Sequence, residues 1–508
     1  MDSPKDYREL LSKFEDMTVL MTAQGIIHWD METKMPPGAV EQRSLQLSLL
    51  TRIQHQMSTD PQIGKLLAAI KKGPESGKLG KTEKRNIYLI NKNYQEQKAL
   101  PEKLVAEIAR QEAITVNVWK KAKAQKDFSV FKPELQKMLD LSREAAEILA
   151  KVKETKTPYE ALIDNYEPKM TASKITATFN KLQAGLKQLI GKVQSSKCKP
   201  EMAILSLTVP LESQRQISEL LTQTLGYDIV SSQARGRIDE TEHPFTSGYY
   251  DDVRITTHYY PNNFASSIFS VLHESGHALY ELGLNPKWKY QPIGSPCSYG
   301  IHESQSRFYE NVIGRSKEFW TELMPKIKRA APNLAKIELE QFVSAINRVE
   351  PSKIRIEADE VTYNLHIIIR FELERDLFAG KVKVDELPQV WNQKYEDYLS
   401  VEVQNDAEGV MQDTHWASGL FGYFPSYALG NLYTGQIRGA ITKDLPEWRE
   451  RVAKGKLDEI NEWLNKNIHS PSNLYDPEEL IKKATGKPLN SEAYLSYLNE
   501  KYSAIYGF

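Results

Sequence analysis

Cysteine is nearly missing from this chain: Cys198 and Cys297 are the two examples in 508 residues. They cannot build a disulfide framework, so a reducing compartment is expected. Long apolar runs are missing too. No stretch approaches the roughly 18 consecutive apolar residues of a membrane span, so no membrane partner is expected. Neither sign of charge is in excess. Lys and Arg number 66 against 67 Asp and Glu, for a formal net charge of −1. That balance gives no basic surface for nucleic acid. The first residues, "MDSPKDYRELLSKFEDM", carry early acids and no apolar segment of the secretory type, and a cytoplasmic setting is expected. No fixed-period repeat and no low-complexity tract is present. A chain of this length suggests two or more lobes, since single cores stop growing near about 250–300 residues. Yet no composition break is clean enough to be a linker.

What is present is mostly helical periodicity. Residues 1–230 form a helical part. "EQRSLQLSLLTRIQHQM" and "FKPELQKMLDLSREAAEILAKV" place apolar residues at three- and four-residue intervals. Breakers punctuate these runs at Met35-Pro36-Pro37, Lys72-Gly73-Pro74, Thr157-Pro158 and Lys199-Pro200. The texture changes within 231–263, where "RIDETEHPFTSGYYDDVRITTHYY" is rich in β-branched and aromatic residues and predicts two or three short strands. Helical periodicity returns over 264–508. Helices are expected over 265–283, 302–314, 353–379 and 445–466, with a loop from Trp288 to Tyr299. The fold class is therefore mainly α with a small central sheet.

Seven of the ten histidines fall between 243 and 415. Two stand in "HESGH", His273-Glu274-Ser275-Gly276-His277. On a helix, positions i and i+4 share a face, so both imidazoles reach one metal ion with Glu274 beside them. The flanking "FASSIFSVLHESGHALYEL" is apolar enough to be buried, and two buried histidines and a glutamate are costly without a partner. A catalytic zinc needs a third protein ligand and an open position for water. The extended motif with a third histidine is absent. A second His-Glu-Ser, in "HESQSRFYENVIG", offers His302, Glu303 and Glu310. A carboxylate is favoured there, because two histidines and a glutamate are a common hydrolytic set.

Other polar groupings have ordinary structural readings beside functional ones. Arg355 and Asp359 in "IRIEAD" are spaced as a surface i,i+4 pair, but a guanidinium also suits a substrate carboxylate. "GVMQDTHWASG" gathers Gln412, Asp413, His415 and Trp416. "HPFTSGYYDDVRITT" contains His243 and Arg254 and reads equally well as a plain hairpin.

Taken together, these motifs resemble the carboxypeptidase Taq family of metallocarboxypeptidases. The resemblance rests on His243-Pro244-Phe245, Asp252-Val253-Arg254-Ile255-Thr256, HESGH, His302-Glu303-Ser304-Gln305, Ile354-Arg355-Ile356-Glu357-Ala358-Asp359, and Gly409 to Trp416, in that order. "WDMETKMPP" and "GYFPSYALGNLY" add to it, so it covers essentially residues 1–508. It implies one large helical fold with a small sheet and a long deep groove. It also implies a homodimer that removes C-terminal amino acids from peptides. The implied metal ligands are His273, His277 and Glu303, holding one Zn²⁺, or Co²⁺, per chain. Glu274 becomes the general base. His415 and a tyrosine, Tyr427 in preference to Tyr423, stand near the scissile carbonyl. Arg355 takes the substrate's terminal carboxylate, while His243 and Arg254 line the groove farther along. Two alternatives remain: an oligopeptidase or dipeptidyl carboxypeptidase on a similar scaffold, and a helical peptide-binding protein without activity.

Overall fold

The computed structural model describes residues 4–73 and 76–508. Met1 to Ser3 and the predicted breaker at Pro74 lie outside the described residues. Helices dominate on both sides of a three-stranded sheet: β1 (Gly236–Glu240), β2 (Thr246–Tyr249) and β3 (Asp252–Thr257). The order is β1-β3-β2, with β1 parallel to β3 and β2 antiparallel to it. Gly236 pairs with Val253 and Thr246 with Ile255. Alternation puts Val253 and Ile255 of β3 into the core.

One continuous apolar core runs from Ala122 to Tyr506. A smaller one, built from Tyr7, Leu10, Ile63, Leu66 and Ile90, joins the N-terminal helices. The first helix, Lys5–Thr33, docks on the sheet. The guanidinium groups of Arg237 and Arg254 lie 4.8 and 4.4 Å from the Trp29 ring, and Thr241 donates to the carbonyl of Glu32. That docking accounts for the "WDMETKMPP" stretch.

Three helices position the centre of the molecule. Phe264–Leu282 is apolar over most of its surface and is packed between helix Leu211–Leu225, β3 and helix Tyr299–Arg307. Tyr299–Arg307 begins where the Ser298 side chain accepts the Ile301 amide, and it runs on as a π-helical turn over Phe308–Ile313. Pro425–Asp444 packs along it. Such π turns recur at functional sites.

Two expected helices differ. The run 353–379 is helical only over Tyr363–Phe378, preceded by a single turn at Arg355–Glu357. The side chain of Asp359 accepts the amides of Val361 and Thr362 and the Thr362 hydroxyl, and this local capture delays the helix. The run 445–466 splits into Trp448–Val452 and Asp458–Leu464, because Gly455 turns the chain at φ +69°. The expected loop occupies residues 289–298, between a turn ending at Trp288 and the helix beginning at Tyr299, with a short turn of its own at Pro292–Gly294. Among the described residues, no helix is long and apolar enough to cross a membrane.

Candidate metal centre and active-site cavity

Helical spacing delivers both imidazoles to one side of Phe264–Leu282. Their Nε2 atoms lie 3.8 Å (His273) and 3.6 Å (His277) from Oε2 of Glu303, which the Tyr299–Arg307 helix presents from across the contact. One ligand atom from each of the three falls within 4.8 Å of the others. Two imidazoles and a carboxylate in that spread fit a divalent ion of the zinc type.

Each donor is held from behind. Nδ1 of His273 lies 2.8 Å from Glu310 Oε2, which leaves its Nε2 for the centre. Nδ1 of His277 meets Nδ1 of His302 at 2.5 Å, and Nε2 of His302 meets Glu281 at 2.9 Å. Oε1 of Glu303 accepts from Arg307 Nε at 2.7 Å, and Arg307 also reaches Glu310 at 3.1 Å. His302 and Glu310, both ligand alternatives in the sequence, are thus partners of the histidines and not members of the three-donor cluster. Spacing gave a signal for one of these contacts, since Arg307 is i+4 from Glu303.

The electrostatics follow from these neighbours. Burial opposes charge on Glu303, but Arg307 and His273 outweigh it and hold its carboxyl well below the usual range. Burial, reinforced by His302, pushes His277 down to about 3, so its ring is neutral as a ligand requires. On His273 burial is overcome by Glu303 and Glu310, and its pKa is raised. Glu274 is buried beside them and its pKa is raised by that burial. Its Oε2 accepts a hydrogen bond from Thr246 Oγ1 at 2.6 Å.

The centre opens into a cavity of about 750 Å³. Pro244, Phe245 and Thr246 form one wall, and Tyr166, Tyr299, Tyr423 and Tyr427 another; Lys92, Glu96 and Asp164 also line it. His415 Nε2 lies 3.2 Å from the Tyr427 hydroxyl. Tyr423 packs edge-on against Tyr166 and Tyr299 at 5.0 and 5.4 Å. Burial pushes His415 down to about 4, so it is neutral near pH 7.

Arg355 lies behind Tyr427, with its guanidinium 5.2 Å from that ring, and is buried. It does not pair with Asp359. Instead Nε and Nη2 meet Asp413 Oδ1 at 2.9 and 2.8 Å, and Nη1 donates to the Tyr363 hydroxyl at 3.1 Å. Asp413 is shared with Arg370, which the sequence reading missed. His243 and Arg254 are not on the cavity wall. His243 is exposed one residue before Pro244, and Arg254 is committed to Asp252 at 2.6 Å and to Trp29.

Residues 9–502 match the family model described as carboxypeptidase Taq (M32) metallopeptidase. The chain belongs to that family. The carboxypeptidase Taq membership makes it a metal-dependent hydrolase of the carboxypeptidase type. Among curated relatives, thermostable carboxypeptidase 1 of Thermus thermophilus is 38% identical over 508 residues, 99% of each chain. Carboxypeptidase 1 of Bacillus subtilis is 38% identical, with 99% of this chain and 98% of the relative covered. Among solved structures, the M32 carboxypeptidase from Deinococcus radiodurans R1 superposes with a TM-score of 0.95 at 33% identity, over 99% of this chain and 100% of the other. Metallocarboxypeptidase 1 of Trypanosoma cruzi gives 0.93 at 33%, over 98% and 100%.

Proposed function

We propose that this carboxypeptidase Taq family member releases single amino acids from the C-terminus of peptides, using one Zn²⁺ or Co²⁺ ion held by His273, His277 and Glu303. The observation that carries the reading is the meeting of those three donors within 4.8 Å, with Glu274 buried next to them on the cavity side that Thr246 lines. When bound, such an ion lowers the pKa of a water and polarises a carbonyl.

The chain's own groups do the rest. Glu274 takes the proton of the attacking water and passes it to the leaving amine; its raised pKa suits both halves of that task. His415, neutral, and the Tyr427 hydroxyl stabilise the oxyanion as charge develops. Arg355 fixes the direction of attack. A guanidinium has five N–H donors, and Asp413 and Tyr363 engage three of them, leaving two for a substrate carboxylate. The peptide's terminal carboxylate would pass Tyr427 to reach Arg355, which would leave its last peptide bond beside His273, His277, Glu303 and Glu274.

A homodimer in a reducing cytoplasm completes the reading. Helix Val40–Ser58 buries none of its residues, and Leu45 and Leu49 are 67% and 47% exposed. Val19 and Ile26 of the first helix are exposed as well, and a second copy would cover these positions. Cys198 and Cys297 are both free thiols. Sedimentation of Leu45→Glu beside the wild type checks the interface: a wild type that is monomeric at micromolar concentration removes the dimer.

The activity is tested by incubating the metal-loaded protein with a 30-residue peptide and its C-terminally amidated twin, with and without chelator, and reading masses. The free acid is trimmed one residue at a time, the amidated peptide is nearly inert, and chelator stops the trimming. Equal cutting of the twins, or release of dipeptides or internal fragments, replaces this reading with the oligopeptidase one.

A further inference from the structure

We infer that Thr246 is a positioning residue for Glu274: its hydroxyl holds one carboxylate oxygen and fixes which oxygen handles the proton. The inference rests on the reading of Glu274 as the base.

The geometry begins with the hydroxyl. Oγ1 of Thr246 lies 2.6 Å from Oε2 of Glu274 and 3.1 Å from the carbonyl oxygen of the same residue. A hydroxyl has one proton to give. The shorter contact has the length of an O–H···O⁻ bond to a charged acceptor, so the carboxylate receives it. Oε1 of Glu274 has no hydrogen-bond partner among the described residues. The two oxygens are therefore unequal before any substrate arrives: one is tethered, the other is available to take and return a proton.

The tether is built from the fold. Thr246 is the first residue of β2, opposite Ile255 of β3. Just before it, the Phe245 amide donates to Thr256 Oγ1 at 2.8 Å, and the Phe245 carbonyl accepts from the Thr256 amide at 2.9 Å. This clasp fixes the backbone at the point where the chain leaves Pro244 and enters the strand. Pro244, Phe245 and Thr246 all line the cavity, so the hydroxyl sits on the wall facing the reacting groups. The His-Pro-Phe and Asp-x-Arg-x-Thr stretches singled out in the sequence thereby gain a shared task, since the second supplies Thr256 and the first leads into Thr246.

A buried carboxylate with a free swing about its last torsion spends time in unproductive rotamers, and terminal torsions of this type are broad. A fixed donor removes that freedom without consuming the oxygen that works. The effect belongs in the chemical step and not in substrate affinity.

The test compares Thr246→Val, Thr246→Ser and Glu274→Gln in the metal-loaded protein, with metal content measured for each. Valine keeps the shape and loses the donor. It is expected to bind metal stoichiometrically, lower kcat about 10- to 100-fold, the usual cost of losing such a supporting partner, and leave KM within about twofold. Serine, which restores the hydroxyl, is expected to recover most of kcat. Glu274→Gln separates the two ideas. If it stays active, the base assignment falls. If it is inactive while Thr246→Val turns over like wild type, the Thr246 inference alone falls. A Val variant whose loss lies in KM or metal content, or a Ser variant as slow as Val, overturns it as well.

Discussion

At the residue scale, His273, Glu274 and His277 each have one dedicated neighbour outside the motif: Glu310, Thr246 and His302. These neighbours decide which atoms face the centre. Because Nδ1 is occupied in both histidines, Nε2 is left as the ligand atom in both, and Arg307 does the same for Glu303 by tying up Oε1. Ligation and proton transfer are thus assigned to different side chains and should separate on mutation. His277→Ala is expected to lose both bound metal and hydrolysis. Glu274→Gln is expected to keep metal and fold while turnover drops by about 10²–10⁴ or more, the contribution of general-base catalysis. Metal analysis beside steady-state kinetics reads both. Stoichiometric metal in His277→Ala, or turnover within tenfold of wild type in Glu274→Gln, contradicts the division of labour.

At the scale of elements, the centre exists because three helices come unusually close. A methyl group on Gly276 would lie 2.5 Å from the Gln305 carbonyl and 2.7 Å from Ser306 Cα, both backbone of the neighbouring helix. On the other flank, a methyl on Gly430 of helix Pro425–Asp444 would lie 2.7 Å from Glu303 Cβ and Cγ. The glycine in HESGH is therefore a packing requirement. Gly276→Ala is expected to push the two helices apart, lower stability by about 1–3 kcal/mol as overpacking does, and weaken metal binding because Glu303 moves away from the histidines. Denaturation and metal titration check it; unchanged metal affinity would mean that the helix contact does not set the donor spacing. The helices themselves were readable, since HESGH and HESQ sit in runs of clear 3.6 periodicity, and β-branched texture marked the three strands. The late start of the helix at Tyr363 was not, because the pattern 353–379 stays helical while one side chain, Asp359, captures the amides that would have begun it. The partners Thr246 and Arg370 were not readable either. They reach the site from other elements, and spacing along the chain carries no trace of a contact made in space.

At the scale of the whole molecule, two buried glutamates tie the site-bearing segments to the core. Glu167 accepts from the Tyr433 hydroxyl at 2.7 Å and from the Gly300 amide at 3.1 Å, anchoring the start of the helix that carries Glu303. Glu374 accepts from Tyr159, Trp416 and the Gly422 amide at 2.8, 2.8 and 2.9 Å, anchoring the segment that carries His415. Burial pushes both carboxyls up to about 7, against their hydrogen bonds, which pull the other way. The folded protein therefore holds these protons more tightly than the unfolded chain, where a glutamate titrates near 4.5. Stability from this source is complete below about pH 4.5, is lost as pH rises towards about 7, and changes no further above it. Each group carries on the order of 3 kcal/mol across that window. Glu374→Gln removes one titration while keeping an acceptor oxygen and the side chain's length. The variant is expected to be less stable than wild type at pH 5, where the protein's own carboxyl is neutral and well fitted. Its deficit should shrink steadily as pH rises to 8, because only the wild type then has to bury a charge. Urea midpoints measured for both proteins from pH 5 to 8 give the difference directly. A deficit that stays constant across that range would mean that Glu374 does not titrate there, against the raised pKa that burial gives it.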